Sequence, residues 1–321
     1  MRFTLYKLKP KSSFHLGERE NIREGTEVFI HSDTLFSAFC HSYFLLYGKE
    51  KLESLLSNFL KNNPPFLISS VFPFWEGKIY FPVPLNQIPG EKKYKKVLFV
   101  EKLGFERLLS GEDIKNIFTS DIKTIPSLKI EKERDKRPYE TREVPRVGLN
   151  RLTNHPGENY FHFGEVYYRE DSGLFFLIDF KDNSIKKEFK ATLRLVADEG
   201  IGGDRTVGKG LFELINTNEI DINIPQNADG IVSLSLYYPK EGELLDVEDS
   251  YYEIIERKGY IYSPYVQSLR RKSVRMFKEG SVFKTVKTGK IADVTPETFK
   301  IHRIYRYGLC FGLPCKRKVE R

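Results

Sequence analysis

Residues 200–210 read Gly-Ile-Gly-Gly-Asp-Arg-Thr-Val-Gly-Lys-Gly, five glycines in eleven positions. A stretch like this propagates neither helix nor strand, because ordering glycine costs more backbone entropy than ordering any other residue and glycine readily takes positive φ. What flanks it must therefore be two separate elements. Upstream, Ile185, Phe189, Leu193 and Val196 recur at spacings of four, four and three, which predicts an amphipathic helix begun by Asn183 or Ser184 and stopped by Gly200. Downstream, the apolar run 211–215 ends at Asn216 and reads as a buried strand. The expected order is helix, loop, strand, with Arg205 and Lys209 giving the loop a charge that suits phosphate.

The spacing Gly203-x4-Gly208-Lys209 approaches the nucleotide-binding P-loop. That motif runs from strand to helix, so that a helix N-terminus faces the phosphates, and it ends in a hydroxyl that ligates magnesium. Here Gly210 has no hydroxyl and the loop feeds a strand. Both departures argue against an NTPase.

Three other stretches stand with the loop: His31-Ser32-Asp33-Thr34-Leu35-Phe36-Ser37-Ala38, then Val144-Pro145-Arg146-Val147-Gly148-Leu149-Asn150-Arg151, and Arg270-Arg271-Lys272-Ser273 leading to Gly280-Ser281-Val282-Phe283. In this order the four resemble the RAMP superfamily, the RNA-binding subunits of CRISPR effector complexes. More narrowly they resemble the subunit of type III-A (Csm) complexes that holds the 5′ handle of the guide RNA, a pattern shared in part with the sister type III-B complex. The likeness extends over nearly the whole chain. It implies an α+β fold of two ferredoxin-like (RRM-like) domains in tandem, the second degraded, with a protruding thumb hairpin at about 126–160. The partners it implies are CRISPR RNA, the large polymerase-like signature subunit, the backbone RAMP subunits and, through the thumb, target RNA.

The residues themselves fit such a reading. A chain of 321 residues, 40% hydrophobic and 14% aromatic, has material for two cores. No apolar run approaches the ~20 residues of a membrane span, and residues 1–10 lack the form of a secretory signal. Cys40, Cys310 and Cys315 are an odd number without zinc spacing, as expected of reduced thiols in a cytoplasmic protein. The remaining histidines, His15, His41, His155, His162 and His302, are scattered, so neither metal nor cofactor is expected. A formal charge of +8 favours a polyanionic partner.

Along the chain, Arg2 to Lys9 reads as a first strand. A helix follows from Ser32 or Asp33 to Gly48, and a second from about Glu50 to Lys61. Phe66–Phe74 and Lys78–Val83 read as a hairpin turned at Glu76-Gly77. Strand, helix, hairpin, helix, strand is the split βαβ pattern. Between Lys129 and Arg146 twelve of eighteen residues are charged, which predicts a solvated or disordered excursion. Polar residues 216–230 mark a boundary between domains at 1–218 and 228–321. Strands are expected in the second domain at 231–238, 251–255, 260–262, 280–286 and 301–311.

Four constellations are candidate RNA contacts. At the start of the first helix, His31 and Ser32 could offer donors to a phosphate beside free amides, unless Ser32 or Asp33 merely caps the helix. In the glycine loop, Gly202, Gly203, Gly208 and Gly210 would present amides while Arg205 and Lys209 neutralise charge, with Asp204 either bonding a base edge or closing the turn. Arg270, Arg271, Lys272, Arg275 and Lys278 lie beside Tyr262, Tyr265 and Phe277, a mixture of charge and stacking surface used for single-stranded RNA, although such a run can also be a solvated face. By resemblance, Arg146, Asn150 and Arg151 of the thumb would contact backbone and an apolar tip residue such as Leu152 could wedge between bases, unless the stretch is an ordinary loop. The resemblance implies binding without turnover. The competing reading is a RAMP endoribonuclease with Asp33 supporting a metal and His31 as general acid.

Overall fold

A computed structural model of the chain describes every residue except 20–21, 88–95, 129–134, 150–151, 154, 156–159, 244–246, 264–265, 267–268, 286 and 318–321. It opens with β1 (Arg2–Pro10), β2 (Gly17–Arg19), β3 (Ile22–Thr26) and helix α1 (Ser32–Leu60). Strands β4 (Phe66–Ile68), β5 (Phe72–Trp75), β6 (Lys78–Pro82) and β7 (Val97–Glu101) precede helices α2 (Lys102–Leu109) and α3 (Ile114–Phe118). Then come β8 (Thr124–Pro126), the hairpin β9 (Tyr139–Val147) and β10 (Tyr160–Tyr168), β11 (Ser172–Phe180), α4 (Lys186–Glu199) and β12 (Phe212–Asp221). The C-terminal half holds β13 (Gly230–Ser233), β14 (Ile254–Arg257), β15 (Val274–Phe277), β16 (Val282–Phe283), β17 (Ala292–Asp293), β18 (Tyr305–Arg306) and β19 (Gly312–Cys315).

The main sheet runs β12-β1-β11-β5-β6-β7-β8, with β4 also on β11, and each pairing is antiparallel. Strand β1 is apolar on both faces, which its charged residues disguise in sequence. On one face Tyr6 meets Phe176 at 5.4 Å and Phe189 of α4 at 5.8 Å, and Phe39 of α1 stacks on Phe189 at 4.8 Å. The two helices therefore cover that face together. On the other, Phe3 meets Phe311 of the C-terminal half at 5.0 Å. One buried core is continuous from Phe3 to Cys315. The structure is thus sheet-rich α+β.

Gly48, at φ 80°, breaks α1 into the two expected helical segments. Glu76 and Gly77 both take positive φ, as the expected hairpin turn requires. Other expectations need correction. Of the charged stretch before Arg146, residues 129–134 lie outside the described residues and the rest leads into a paired strand over Tyr139–Val147. There main-chain partners come from β10 and most side chains stay exposed or half-buried, so the charges meet solvent. The helix before the glycine loop is not begun by Asn183 or Ser184. Those residues form a 3-10 turn, capped by Asp182, whose Oδ1 accepts from the Ser184 amide at 2.8 Å, and α4 follows from Lys186 with no side-chain cap of its own. Strand β12 passes through the largely polar residues 216–221, held by eight residue pairs along β1 on either side of a register shift. In the C-terminal half the cationic run conceals β15, where Val274, Met276 and Phe277 are buried between exposed charges.

The three cysteines are free. No helix among the described residues is long and apolar enough to cross a membrane.

Candidate nucleic-acid interface

The glycine loop folds back on the start of the chain. Gly202, at φ 103°, lies so close to the β1–β2 connection that a Cβ would stand 2.3 Å from the His15 carbonyl oxygen; at Gly210 one would stand 2.2 Å from that of Ile201. The Gly203 amide donates to His15 O, that of Gly210 to Ser13 O and that of Gly208 to Arg205 O. Three of the four amides expected to meet phosphate are thus engaged within the protein. Asp204, left-handed at φ 58°, closes the turn: its carbonyl accepts from the Val207 and Lys209 amides. The loop presents outward its tip, with half-buried Arg205 and exposed Thr206, Val207 and Gly208.

Beneath that tip lies a carboxylate that the sequence reading missed. Glu165 of β10 is 1% exposed. Its Oε2 accepts from Ser13 Oγ at 2.6 Å, Tyr167 Oη at 2.7 Å and Lys209 Nζ at 2.9 Å, and its Oε1 from Arg146 Nη2 at 2.8 Å. Burial works to raise its pKa, but these four donors prevail and hold it at about 2. Arg146 also stands 3.4 Å from Asp204. Two cations expected on the RNA thus converge on one buried acid that joins the β9–β10 hairpin to the loop. Glu165 shares the strand parity of Phe163 and Tyr167, and a carboxylate on an aromatic face was the available signal. His15 completes the junction, its Nδ1 bonded to Gly164 O at 2.7 Å and its ring 4.1 Å from Phe163.

Arg205 turns the other way, its guanidinium 4.2 Å from the centre of the Tyr262 ring. Tyr262 belongs to the C-terminal half, and His41 of α1 meets it edge-on at 4.8 Å. Loop, helix and C-terminal half meet at this one tyrosine.

The start of α1 holds the two halves together. His31, Ser32 and Asp33 are each at most 2% exposed. Ser32 Oγ accepts from the Leu236 amide at 3.1 Å, and its own amide donates to Ser70 Oγ. His31 Nδ1 bonds Glu279 at 2.8 Å; burial disfavours its charge, but Glu279 outweighs this, aided by a weaker contact with Glu27, and its pKa rises to about 9. Asp33 does not cap its helix. Arg257 grips it with Nε and Nη2, both at 3.0 Å, and Arg306 donates to it as well. Burial opposes the charge on Asp33, but Arg257 and then Arg306 hold its pKa well below the usual carboxylate range. An acid so enclosed has no free oxygen for a metal or a water, and no group of metal-ligating residues occurs among the described residues.

Arg270, Lys272 and Arg275 are exposed along and beside β15, while Arg271 is half-buried. Arg270 lies 5.6 Å from the Tyr260 ring, and Arg271 Nε donates to Tyr260 O at 2.7 Å. Lys272 faces Glu297 at 3.4 Å. Asn150, Arg151 and Tyr265 lie outside the described residues, and Leu152 near the hairpin tip is 96% exposed.

Residues 7–213 match the RAMP superfamily. The chain belongs to this superfamily. Residues 226–315 match the CRISPR Csm4 C-terminal domain. Among curated proteins, the chain is similar to the CRISPR system Csm4 protein of Methanocaldococcus jannaschii, 25% identical over 100% of this chain and 99% of the relative. It is likewise similar to that of Thermococcus onnurineus, 27% identical over 88% and 90%. Among solved structures, a Csm3-Csm4 subcomplex of the type III-A CRISPR-Cas interference complex shares the fold with a TM-score of 0.66, at 24% identity, covering 98% of this RAMP chain and 99% of that one. A Csm1-Csm4 cassette in complex with cA4 gives a TM-score of 0.64 at 21% identity, with 100% of each chain covered.

Proposed function

We propose that the chain is the RNA-clamping RAMP subunit of a type III-A CRISPR effector complex, holding the 5′ handle of the guide RNA without cleaving it. The observation that carries this reading is the junction of glycine loop, β9–β10 hairpin and start of the chain on Glu165, which fixes a cationic loop tip at the surface without using the tip itself. Contacts from such a tip position a nucleic-acid backbone without reading its sequence. In this reading the hairpin is the thumb that reaches toward target RNA, and the sheet order β12-β1-β11-β4/β5, with α1 and α4 on one face, is the first ferredoxin-like module. The second, degraded module is 228–321, and the family matches fall on either side of the intervening boundary.

Csm4 relatives are known in assemblies with Csm1 and with Csm3. By analogy this subunit joins the large signature subunit to the backbone subunits, in the cytoplasm. The enclosure of Asp33 by two guanidinia supports a binding role over the endoribonuclease alternative.

The test is to purify the tagged protein from its native host and sequence the RNA that accompanies it. A population with one repeat-derived 5′ end, recovered with the large subunit, is expected; no enriched RNA would overturn the proposal. Arg205→Ala should weaken retention and lower the salt slope by about one.

A further inference from the structure

A cleft of about 380 Å³ opens between α1 and the C-terminal half, beyond the glycine loop. Its floor is apolar. Cys40, Leu52 and Leu56 of α1, partly buried against the main core, line it beside the Lys49–Glu53 pair, and Tyr262 and Tyr305 form part of the facing wall. The volume falls at the lower end of small-ligand pockets, with room for one base and its sugar but not for a helix.

One cation in the cleft has no carboxylate bonded to it among the described residues. Asp33 is taken up by Arg257 and Arg306. Arg271, which lines the cleft, is near enough to both guanidinia to be repelled by them. Its Nε is spent on Tyr260 O, and its two Nη groups donate to no group among the described residues. Burial first and then Arg306, with a smaller share from Arg257, lower its pKa to about 10, against the opposing pull of Asp33. An anion against those Nη groups would relieve this excess, since planar guanidinium donors match phosphate oxygens two at a time. Tyr262 also links the cleft to the loop tip, because the ring that lines the cleft is the one on which Arg205 rests.

We infer that this cleft seats one unstacked nucleotide residue of single-stranded RNA, its base against the aromatic wall and its phosphate on Arg271. The inference rests on the RNA-clamping reading above and adds to it a site for a base, where the loop provides only for backbone.

The test uses the full chain and the RNA recovered with it, resynthesised with a single abasic residue at each position in turn. Removing the seated base should weaken binding about tenfold or more at one position, the range of base–aromatic stacking, and under twofold elsewhere. Leu56→Trp, which fills the cleft, should weaken the intact RNA by a similar factor and abolish the effect of that abasic position. If Leu56→Trp does not fold, Tyr262→Leu at an exposed ring serves for the same cycle. Tolerance of an abasic residue at every position would overturn the cleft assignment while leaving RNA clamping intact, whereas failure to recover any RNA would overturn both. Micromolar AMP binding that Leu56→Trp removes, with every abasic RNA tolerated, would make this a free-nucleotide site and overturn the RNA assignment.

Discussion

Nζ of Lys209 lies 2.9 Å from Oε2 of Glu165, tying the last cation of the glycine loop to the strand of a hairpin 44 residues earlier. Arg146 reaches the same carboxylate from the hairpin's other strand. Loop and hairpin are therefore one mechanical unit, and the cations left for a polyanion are those at its margin, Arg205 above all.

Glu165→Ala should destabilise the protein by about 2–4 kcal/mol, because it leaves two cations and two hydroxyls facing an empty buried site. Lys209 and Arg146 are about 30% exposed, which keeps the cost below that of a fully enclosed pair. Urea denaturation measures it. A loss under about 1 kcal/mol would mean that solvent replaces the carboxylate and that the junction is not held by it.

His31 makes stability fall in alkali. Its pKa rises from 6.5 to about 9 on folding, so the stabilisation is fully present below pH 6.5 and is lost as pH climbs through 9. Comparison of thermal unfolding at pH 6.5 and 9.5 should show a drop on the order of 2–3 kcal/mol that His31→Gln abolishes. An equal drop in the variant would assign the slope to other groups. Glu165 acts in the opposite sense: held at about 2 against 4.5, its contribution is complete above pH 4.5 and disappears as pH falls toward 2.

Asp33→Ala removes the acid that both Arg257 and Arg306 bond and should cost about 3–5 kcal/mol, the range for breaking a buried pair from one side. Asp33→Asn keeps the shape and can still accept from one guanidinium. If Asp33 were catalytic, Asn would abolish RNA cleavage by the assembled complex while preserving assembly. Assembly lost in proportion to stability, with cleavage per complex unchanged, is the result expected.

Local periodicity made the helices legible: Leu35, Phe36, Phe39 and Tyr43 mark the buried stripe of α1, and Gly48 its break. The glycine loop was legible as a loop because nothing else can use five glycines. What stayed hidden depends on partners distant in sequence. Asp33 meets Arg257 and Arg306 across more than 220 residues, and no spacing rule connects them. His31 and Ser32 look like surface donors in sequence because a polar triplet before a helix ordinarily meets water. The C-terminal strands were the least legible, since two-to-four-residue pairings such as β16 and β18 are too short to show alternation.

The glycines divide by what surrounds them, and substitution separates folding from binding. Gly202→Ala sets a methyl 2.3 Å from the His15 carbonyl at φ 103°, a backbone clash that no side chain can yield to. It should cost about 2–4 kcal/mol and dislodge the loop from the start of the chain. Gly208 also has positive φ, at 82°, but a Cβ there meets open space. Gly208→Ala should therefore cost only about 1 kcal/mol, the strain of the left-handed conformation. The Gly208 amide is already spent on Arg205 O, but because Gly208 stands at the exposed tip, the same methyl would hold a phosphate away from the tip surface beside Arg205. Near-wild-type melting with RNA affinity reduced severalfold is expected for Gly208→Ala. Unchanged affinity in that well-folded variant would show that RNA does not approach the tip and would move the interface to the β14–β15 side.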